Sequence, residues 1–415
     1  MEKKLGTTFY TFTTHPNTSS QINRITDRFF TLNSLNQKCM EKLDLYYNRE
    51  NGNVYHEGIA SEIPDRISQP LLQRRVETLI GRKGLKASYN TGKSYMKPLL
   101  NTLHQKNKKE SLDLMLKHLS RRGFGGLKCT ELKKDYMKIR VKNCFNALPY
   151  SQSNKKVCFE MAGILAACGE VLMGEGMDCM ETACTSQGNP YCDFHVFSHG
   201  LKTKEKKDEI INSIHPPEEG LVKHNAFHDP LRGETIFKDG SSLILPQGYM
   251  AHYQRELESL LGEKPTKKME YILTKKSSIV TANTIKNKKA AGYLHSPVNF
   301  LLREMVKQTQ SRGFGIPIVQ EFYPGKPYLR LIVKNSFNAH GYFKARKPVC
   351  YRMAALCAGF GTALFNRDMD CMETKCTAKG DRFCEFIVYV NPHRRIQSGR
   401  SQKRSIQEMA TLASL

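Results

Sequence analysis

Three cysteines and one glutamate occur in the same order and with the same spacing at two places in this chain. The pattern is Cys-x22-Glu-x2-Cys-x7-Cys, and its second copy begins 192 residues after the first. Three thiolates and one carboxylate form a ligand set that suits tetrahedral Zn²⁺. We therefore predict two zinc ions per chain, held by Cys158, Glu181, Cys184 and Cys192 in the first copy and by Cys350, Glu373, Cys376 and Cys384 in the second.

Zinc bound by four protein ligands has a structural role. When the protein fills every coordination position, no water is left for the metal to activate. The alternative is ordinary buried thiols, because free cysteine is among the most buried residue types. The duplicated spacing, with an acid in register, favours zinc. No nucleotide, flavin or catalytic-nucleophile motif is visible, so we predict that the protein is not an enzyme.

The repeat is wider than its cysteines. Asp-Cys-Met-Glu-Thr at 178–182 recurs at 370–374, and Arg-Gly-Phe-Gly at 122–125 recurs at 312–315. A repeat of this length indicates two tandem globular domains rather than a solenoid. We predict four regions along the chain: a first domain at 1–198, a linker at 199–223, a second domain at 224–392 and a basic, disordered tail at 393–415.

Each domain is predicted to be α+β. Apolar periodicity indicates a helix before Gly81 and another before Gly262, and segments rich in small residues indicate helices at 159–173 and 351–365. Strands are predicted where apolar residues alternate or run together, at 136–141, 192–197, 328–334 and 384–389. Each domain should therefore be an antiparallel sheet with helices gathered on one face.

The charge predicts attraction to anionic partners, because 64 Lys and Arg face 39 Asp and Glu, a net charge of +25. The lysines are scattered, the densest basic cluster is at 394–404, and no nucleic-acid-binding motif is visible. We expect only weak, nonspecific binding to nucleic acid. No apolar run is long enough to span a bilayer and no export signal is visible, so we predict a soluble, cytoplasmic protein with reduced thiols.

The order of these motifs resembles the 4-vinyl reductase domain, also called a hydrocarbon-binding domain. Gly-Phe-Gly, a strand, Asn-x-Phe, a cysteine, a small-residue helix and Glu-x2-Cys-x7-Cys follow one another in both halves. Segments beginning at Gly52 and Gly233 are similar to the N-terminal part of the sensor half of aromatic-responsive bacterial transcription activators. The resemblance implies a fold similar to TRAPP vesicle-tethering subunits, zinc on both quartets, and a buried apolar ligand pocket beside the zinc.

The implied pocket would lie between the small-residue helix and the sheet. Small side chains leave room for a ligand there, although a packed core explains the same pattern. The candidate pocket residues are Met161, Leu165, Ala166 and Cys179 in the first domain and Met353, Cys357, Ala358 and Cys371 in the second. Phenol-sensing relatives use a pocket tryptophan and this chain has none, so phenol specificity is not implied.

Together these features predict a zinc-stabilised protein that binds a small hydrophobic or aromatic molecule and acts as a sensor or carrier. A sensor would act through a separate effector protein, because no output module is visible. A homodimer is compatible with the sequence. Two alternatives stay open: an accessory protein of tetrapyrrole vinyl reduction, and a non-catalytic protein-interaction scaffold.

Overall fold

The structure is a computed structural model. It describes residues 40–48, 53–66, 68–150, 153–174, 176–198, 221–230, 234–237, 240–289, 297–323, 325–342 and 344–391. The chain divides into two compact units, and one of them, Glu41–Asn391, contains every described residue except Met40.

The first repeat contains eight strands and four helices among the described residues. In chain order they are β1 (Glu41–Lys42), β2 (Leu45–Asn48), β3 (Val54–His56), β4 (Ile59–Glu62), α1 (Ser68–Ile80), α2 (Arg82–Asn101), α3 (Lys108–Arg121), β5 (Gly126–Leu132), β6 (Tyr136–Lys142), α4 (Phe159–Met173), β7 (Met177–Ala183) and β8 (Cys192–Ser198). A 3-10 helix at Phe145–Tyr150 lies between β6 and α4.

The second repeat follows the same order with one additional short strand, β13, before its first helix. Its elements are β9 (Leu221–Lys223), β10 (Ala226–Asp229), β11 (Glu234–Phe237), β12 (Gly240–Ser242), β13 (Leu245–Pro246), α5 (Tyr249–Leu261), α6 (Glu263–Lys289), α7 (Pro297–Ser311), β14 (Ile316–Tyr323), β15 (Tyr328–Lys334), α8 (Tyr351–Phe365), β16 (Met369–Lys375) and β17 (Cys384–Val390). A 3-10 helix at Phe337–Gly341 precedes α8.

Each repeat has a four-stranded antiparallel sheet, with strand order β5-β6-β8-β7 in the first and β14-β15-β17-β16 in the second. In the central strands, residues alternate between buried and partly exposed positions, because only one face of each sheet is covered by helices. The predicted α+β class is confirmed. The helices expected at 159–173 and 351–365 and the four expected strands are present.

Small residues in α4 and α8 allow close packing of helices. A Cβ atom on Gly163 would collide with the carbonyl oxygen of Tyr89 in α2, and one on Gly359 would lie 2.7 Å from the carbonyl oxygen of Lys275 in α6. Such separations are too short for any side chain larger than hydrogen. The glycines of these helices therefore bring α4 against α2 and α8 against α6.

Two smaller sheets contain strands from both repeats. The hairpin strands β2, β3 and β4 of the first repeat are flanked by β9 and β13 of the second, and the order is β13-β4-β3-β2-β9. The strands β10, β11 and β12 of the second repeat pair with β1 of the first. The repeats therefore exchange strands, an arrangement that the residue pattern does not predict.

The exchange is reciprocal at the level of single residues. Lys42 pairs with Phe227, and at the 181-residue offset Lys223 pairs with Tyr46. The arginine of each Arg-Gly-Phe-Gly turn donates a hydrogen bond to the backbone of the other repeat. Arg122 Nη1 donates to the Ile244 carbonyl at 3.1 Å, and Arg312 Nη1 donates to the Ile63 carbonyl at 2.9 Å. Residues 63 and 244 are also related by the 181-residue offset. We define the first seam as the sheet that joins β1 to β10, β11 and β12, and the second seam as the sheet β13-β4-β3-β2-β9. The two seams share one backbone geometry.

The exchange corrects the predicted linker. We expected a linker at 199–223, but residues 221–223 form β9 and pair with β2. The reason is that these residues occupy in the second repeat the position that β1 occupies in the first. Residues 199–220 lie outside the described residues, as do residues 1–39 and the predicted tail at 393–415 with its basic cluster. The domain boundaries remain a prediction.

None of the helices among the described residues combines the length and the apolar character needed to cross a membrane.

Candidate metal centres

Cys158, Glu181, Cys184 and Cys192 converge at one end of the first repeat's sheet. Cys158 is the residue before α4, Glu181 lies on β7, and Cys192 begins β8. The pairing of β7 with β8 shifts register between Glu181 and Ala183. That irregularity lies directly before Cys184, which leads into a short 3-10 turn. The four ligand atoms lie within 4.8 Å of one another, as the sequence predicted.

The sulfur spacings match a tetrahedral metal site. Cys158 Sγ lies 3.7 Å from Cys184 Sγ and 3.7 Å from Cys192 Sγ, and the remaining pair is 3.8 Å apart. Zinc–sulfur bonds of about 2.3 Å in a tetrahedron place the sulfur atoms about 3.8 Å apart. A disulfide needs about 2.05 Å. All twelve described cysteines are free thiols.

The glutamate is oriented towards the sulfur atoms but lacks a partner on one side. Glu181 Oε2 accepts a hydrogen bond from the Cys158 backbone N–H at 3.0 Å. Glu181 Oε1 is buried and has no hydrogen-bond partner among the described residues. Burial, and then the neighbouring Cys184 sulfur, raise the pKa of Glu181 to about 8. A buried carboxylate oxygen without a donor is what a metal ligand looks like when the protein atoms alone are considered.

Polar neighbours hold the cysteine sulfur atoms in place. The Thr185 backbone N–H donates to Cys192 Sγ at 3.3 Å, and Ser186 Oγ donates to Cys184 Sγ at 3.0 Å. Asn146, on the 3-10 helix, accepts from the backbone N–H of Met161 at 2.9 Å and so fixes the start of α4 next to Cys158. Groups of this kind fix the orientation of metal ligands and tune their charge. Sequence reasoning missed the role of Asn146, although Phe-Asn-Ala recurs in the second repeat.

The second centre repeats this geometry. Cys350 Sγ lies 3.7 Å from Cys384 Sγ and 3.8 Å from Cys376 Sγ. Glu373 Oε2 accepts from the Cys350 backbone N–H at 2.9 Å, while Glu373 Oε1 is buried and has no hydrogen-bond partner among the described residues. Burial again raises the pKa of the glutamate to about 8. Asn338 repeats the part of Asn146 by accepting from the Met353 backbone N–H at 3.1 Å.

The polar neighbours of the two centres differ: Ala378 takes the place of Ser186 in the second repeat, and a further difference lies at Cys144. Cys144 is buried beside Cys158 and Cys192 of the first centre. At the matching position of the second repeat, Ser336 Oγ donates to Cys350 Sγ at 3.5 Å. The first centre therefore has a fourth sulfur close to its three ligands. In the second centre a hydroxyl group takes that place.

The residues predicted to line a pocket are all buried. Each is at most 8% exposed and belongs to the largest hydrophobic cluster: Met161, Leu165, Ala166, Cys179, Met353, Cys357, Ala358 and Cys371. Two surface cavities, of about 400 and 300 Å³, are lined by other residues. In this conformation the eight residues are packed core.

Comparison with known families identifies the repeated unit. The 4-vinyl reductase domain family matches residues 137–197 and 329–389, and each match contains one complete ligand set. The uncharacterized protein MJ0150 of Methanocaldococcus jannaschii is 35% identical over 60 residues, which are 14% of this chain. Those residues span 35% of that relative's length.

Three solved structures are similar over part of the chain. The phenol-responsive sensory domain of the transcription activator PoxR, solved with phenol, is 14% identical over 42% of this chain and 87% of its own, with a TM-score of 0.33. A vinyl-4-reductase family protein from Methanocaldococcus jannaschii is 28% identical over 26% and 66%, with a TM-score of 0.20. A trafficking protein particle complex subunit 3 from Naegleria fowleri, covalently bound to palmitic acid, is 11% identical over 36% and 98%, with a TM-score of 0.27.

The matched regions begin and end within the strands that frame each metal centre. Residues 137–197 run from β6 to β8, and residues 329–389 run from β15 to β17. Both matches therefore enclose the small-residue helix and the cluster at its start, which are the features that carried the resemblance. The chain contains two 4-vinyl reductase domains in tandem, each with one cluster of three cysteines and one glutamate.

Proposed function

We propose that this protein binds a small hydrophobic or aromatic molecule within its 4-vinyl reductase domains, that a zinc ion stabilises each domain, and that the protein acts as a sensor or carrier rather than an enzyme. A sensor of this kind would pass its signal to a separate effector protein. The proposal has a metal part and a ligand part, and different observations support them.

The metal part is supported by the two clusters. In both, the sulfur spacings suit tetrahedral zinc, and a buried glutamate oxygen lacks a donor among the described residues. With four protein ligands the coordination shell is closed, which favours a structural role over activation of water. Zinc would join the helix that follows Cys158 to the strand that begins at Cys192.

The ligand part is carried by the methionines of the first repeat's core. Five of them, on five different elements, are at most 2% exposed: Met96, Met115, Met137, Met161 and Met177. Methionine is unbranched and flexible, so a core rich in methionine can rearrange around an inserted apolar molecule. A packed core of this composition is compatible with a pocket that opens when a ligand binds.

Mass spectrometry of the full chain tests both parts together. Under native conditions the protein should carry two zinc ions and, where a ligand copurifies, one further small mass that is released on denaturation. The neutral dye Nile red should bind to the purified protein. Ala166→Phe and Ala358→Phe should weaken dye binding by filling the space beside the sheet, with both zinc ions retained.

Leu114→Phe is the control, because Leu114 is 39% exposed on α3 and its replacement adds a ring outside the core. A protein that carries no metal would contradict the metal part. Nile red binding that is equal in all three variants and the unchanged protein would contradict the ligand part.

A further inference from the structure

A cavity of about 400 Å³ lies at the seam where α3 and β5 of the first repeat meet the exchanged strands β1 and β10. Its buried lining includes Leu116 and the His228 imidazole, and Ser120 Oγ lies 3.4 Å from His228 Nε2. Leu127 adds a second, half-buried apolar wall. The volume falls within the range of small-molecule sites, which combine apolar walls with a few polar groups.

Two lysines give this cavity an excess of positive charge. Lys117 and Lys128 are exposed in its lining, and neither forms an ion pair with any part of the chain that the structure describes. Arg121 is already neutralised, because it contacts Glu57 at 2.6 Å and Glu41 at 3.3 Å. Asp113 is the remaining acid in the lining. Over the whole lining, three basic side chains are present with two acids, Glu41 and Asp113, and this excess of one positive charge favours an anionic ligand.

The second repeat shows that packing alone does not require these groups. By strand register and by the repeat offsets, Tyr47 takes the place of His228, and Ile318 takes the place of Lys128. Lys307 is the counterpart of Lys117. The same backbone seam therefore forms with a tyrosine and an isoleucine. The combination of imidazole, hydroxyl and two lysines belongs to the first seam.

We propose that the seam cavity binds a small organic anion with an apolar body, such as an aromatic or short aliphatic carboxylate. Its acidic group would face Lys117 and Lys128. Its apolar part would contact Leu116 and Leu127, and Ser120 or His228 would donate a hydrogen bond to it. This site is separate from the cores of the 4-vinyl reductase domains. Binding at this site can therefore be tested independently of the function proposed above.

Calorimetric titration of the full chain with benzoate tests the proposal. Benzoate should bind saturably. The neutral analogue benzyl alcohol should bind with at least about tenfold lower affinity, because it lacks the negative charge. The double variant Lys117→Gln with Lys128→Gln should lower benzoate affinity about fivefold or more, and rising salt should reduce the affinity of the unchanged protein. Both lysines are exposed, so these variants should fold.

Lys307→Gln is the matched control, since it removes the equivalent lysine from the other repeat, and it should leave benzoate affinity unchanged. Ala166→Phe changes the core of the first 4-vinyl reductase domain and not the seam cavity, so it should also leave the benzoate affinity unchanged. The proposal is overturned if benzoate does not bind saturably, if benzyl alcohol binds equally well, or if the double variant and the Lys307→Gln control bind benzoate alike.

Discussion

The two metal centres agree in ligand types, sulfur spacings and glutamate orientation, whereas the two seams agree in backbone register but differ in side chains. At the centres, Glu181 and Glu373 each accept from the backbone N–H of the first cysteine. At the seams, His228 corresponds to Tyr47, and Glu62 on β4 corresponds to Leu243 at the 181-residue offset. The three cysteines and the glutamate are thus the same in both repeats, whereas the side chains at the seams have diverged.

The difference reflects what each structure requires. A tetrahedral metal site fixes the type and position of four side chains, so a change at any ligand removes the site. Strand pairing uses backbone groups, which every residue except proline provides, so the seams form with different side chains. Side chains next to the centres also differ: on α4, Glu160 accepts from the Tyr249 hydroxyl at 2.6 Å, and at the matching position of α8, Arg352 donates to Glu270 at 2.7 Å.

The largest effect is expected at the metal centres. Cys184→Ser should remove one zinc ion per chain and lower the free energy of unfolding of the first repeat by more than about 3 kcal/mol, because structural zinc binding contributes to folding. Cys179→Ser is the control, since Cys179 is a buried thiol outside the cluster and its replacement should keep both zinc ions. Elemental analysis and urea unfolding measure both quantities. Equal zinc content in the two variants would show that Cys184 is not a ligand.

An intermediate effect is expected where the repeats join. Gly123 has φ +89°, and a Cβ there would collide with the Ser242 carbonyl oxygen of the other repeat. Gly123→Ala should therefore cost about 3 kcal/mol or more, whereas Gly58→Ala, at φ +79° with nothing within 4 Å of the added Cβ, should cost about 1 kcal/mol from backbone strain alone. Denaturant unfolding gives both values. If the two substitutions cost the same, the exchanged strands do not pack against this turn as described.

A pH-dependent effect is expected from Glu62, the acid that the second seam has and the first seam lacks. Glu62 is fully buried, its Oε1 accepts from the Met250 backbone N–H at 2.8 Å, and burial raises its pKa from 4.5 to about 8. Tyr95, Tyr249 and Arg352 are the ionisable groups facing it. Because the folded-state pKa is the higher one, its stabilising contribution is complete below about pH 4.5 and is lost as the pH rises to about 8.

Glu62→Gln removes that titration while keeping an acceptor for Met250. Between about pH 5 and pH 8, the unchanged protein should lose stability relative to the variant by an amount on the order of a few kcal/mol. Unfolding curves at several pH values measure the difference. A difference that stays constant across this range would mean that the Glu62 carboxyl titrates alike in the folded and unfolded chains.

The sequence predicted the parts of the fold that depend on local patterns. The helices at 159–173 and 351–365 were predictable because each is a segment of small apolar residues with clear limits. Each segment begins directly after a cysteine, and it is followed by a glycine in the first repeat and by an asparagine in the second. The two clusters of three cysteines and one glutamate were predictable because a candidate metal site is recognised by its residue types and spacing together. These patterns need no knowledge of which element packs against which.

The exchange of strands was not predictable in the same way. β1 is two residues long and β9 is three, so neither carries a hydrophobic period that could be recognised. Their partners lie about 180 residues away and are specified by backbone register, which leaves no trace in residue types. The cavity beside His228 was missed for the same reason, since its lining comes from four elements that only the exchange brings together.

Reciprocal exchange also bears on how the chain folds during synthesis. β2 cannot gain β9, and β1 cannot gain β10, until about 180 further residues have left the ribosome, so the first repeat emerges with unpaired strand edges. Contacts between residues so far apart in sequence form slowly, because a long loop must close first. We therefore expect the risk of aggregation to be greatest after the first repeat has been made and before the second repeat covers its unpaired strand edges.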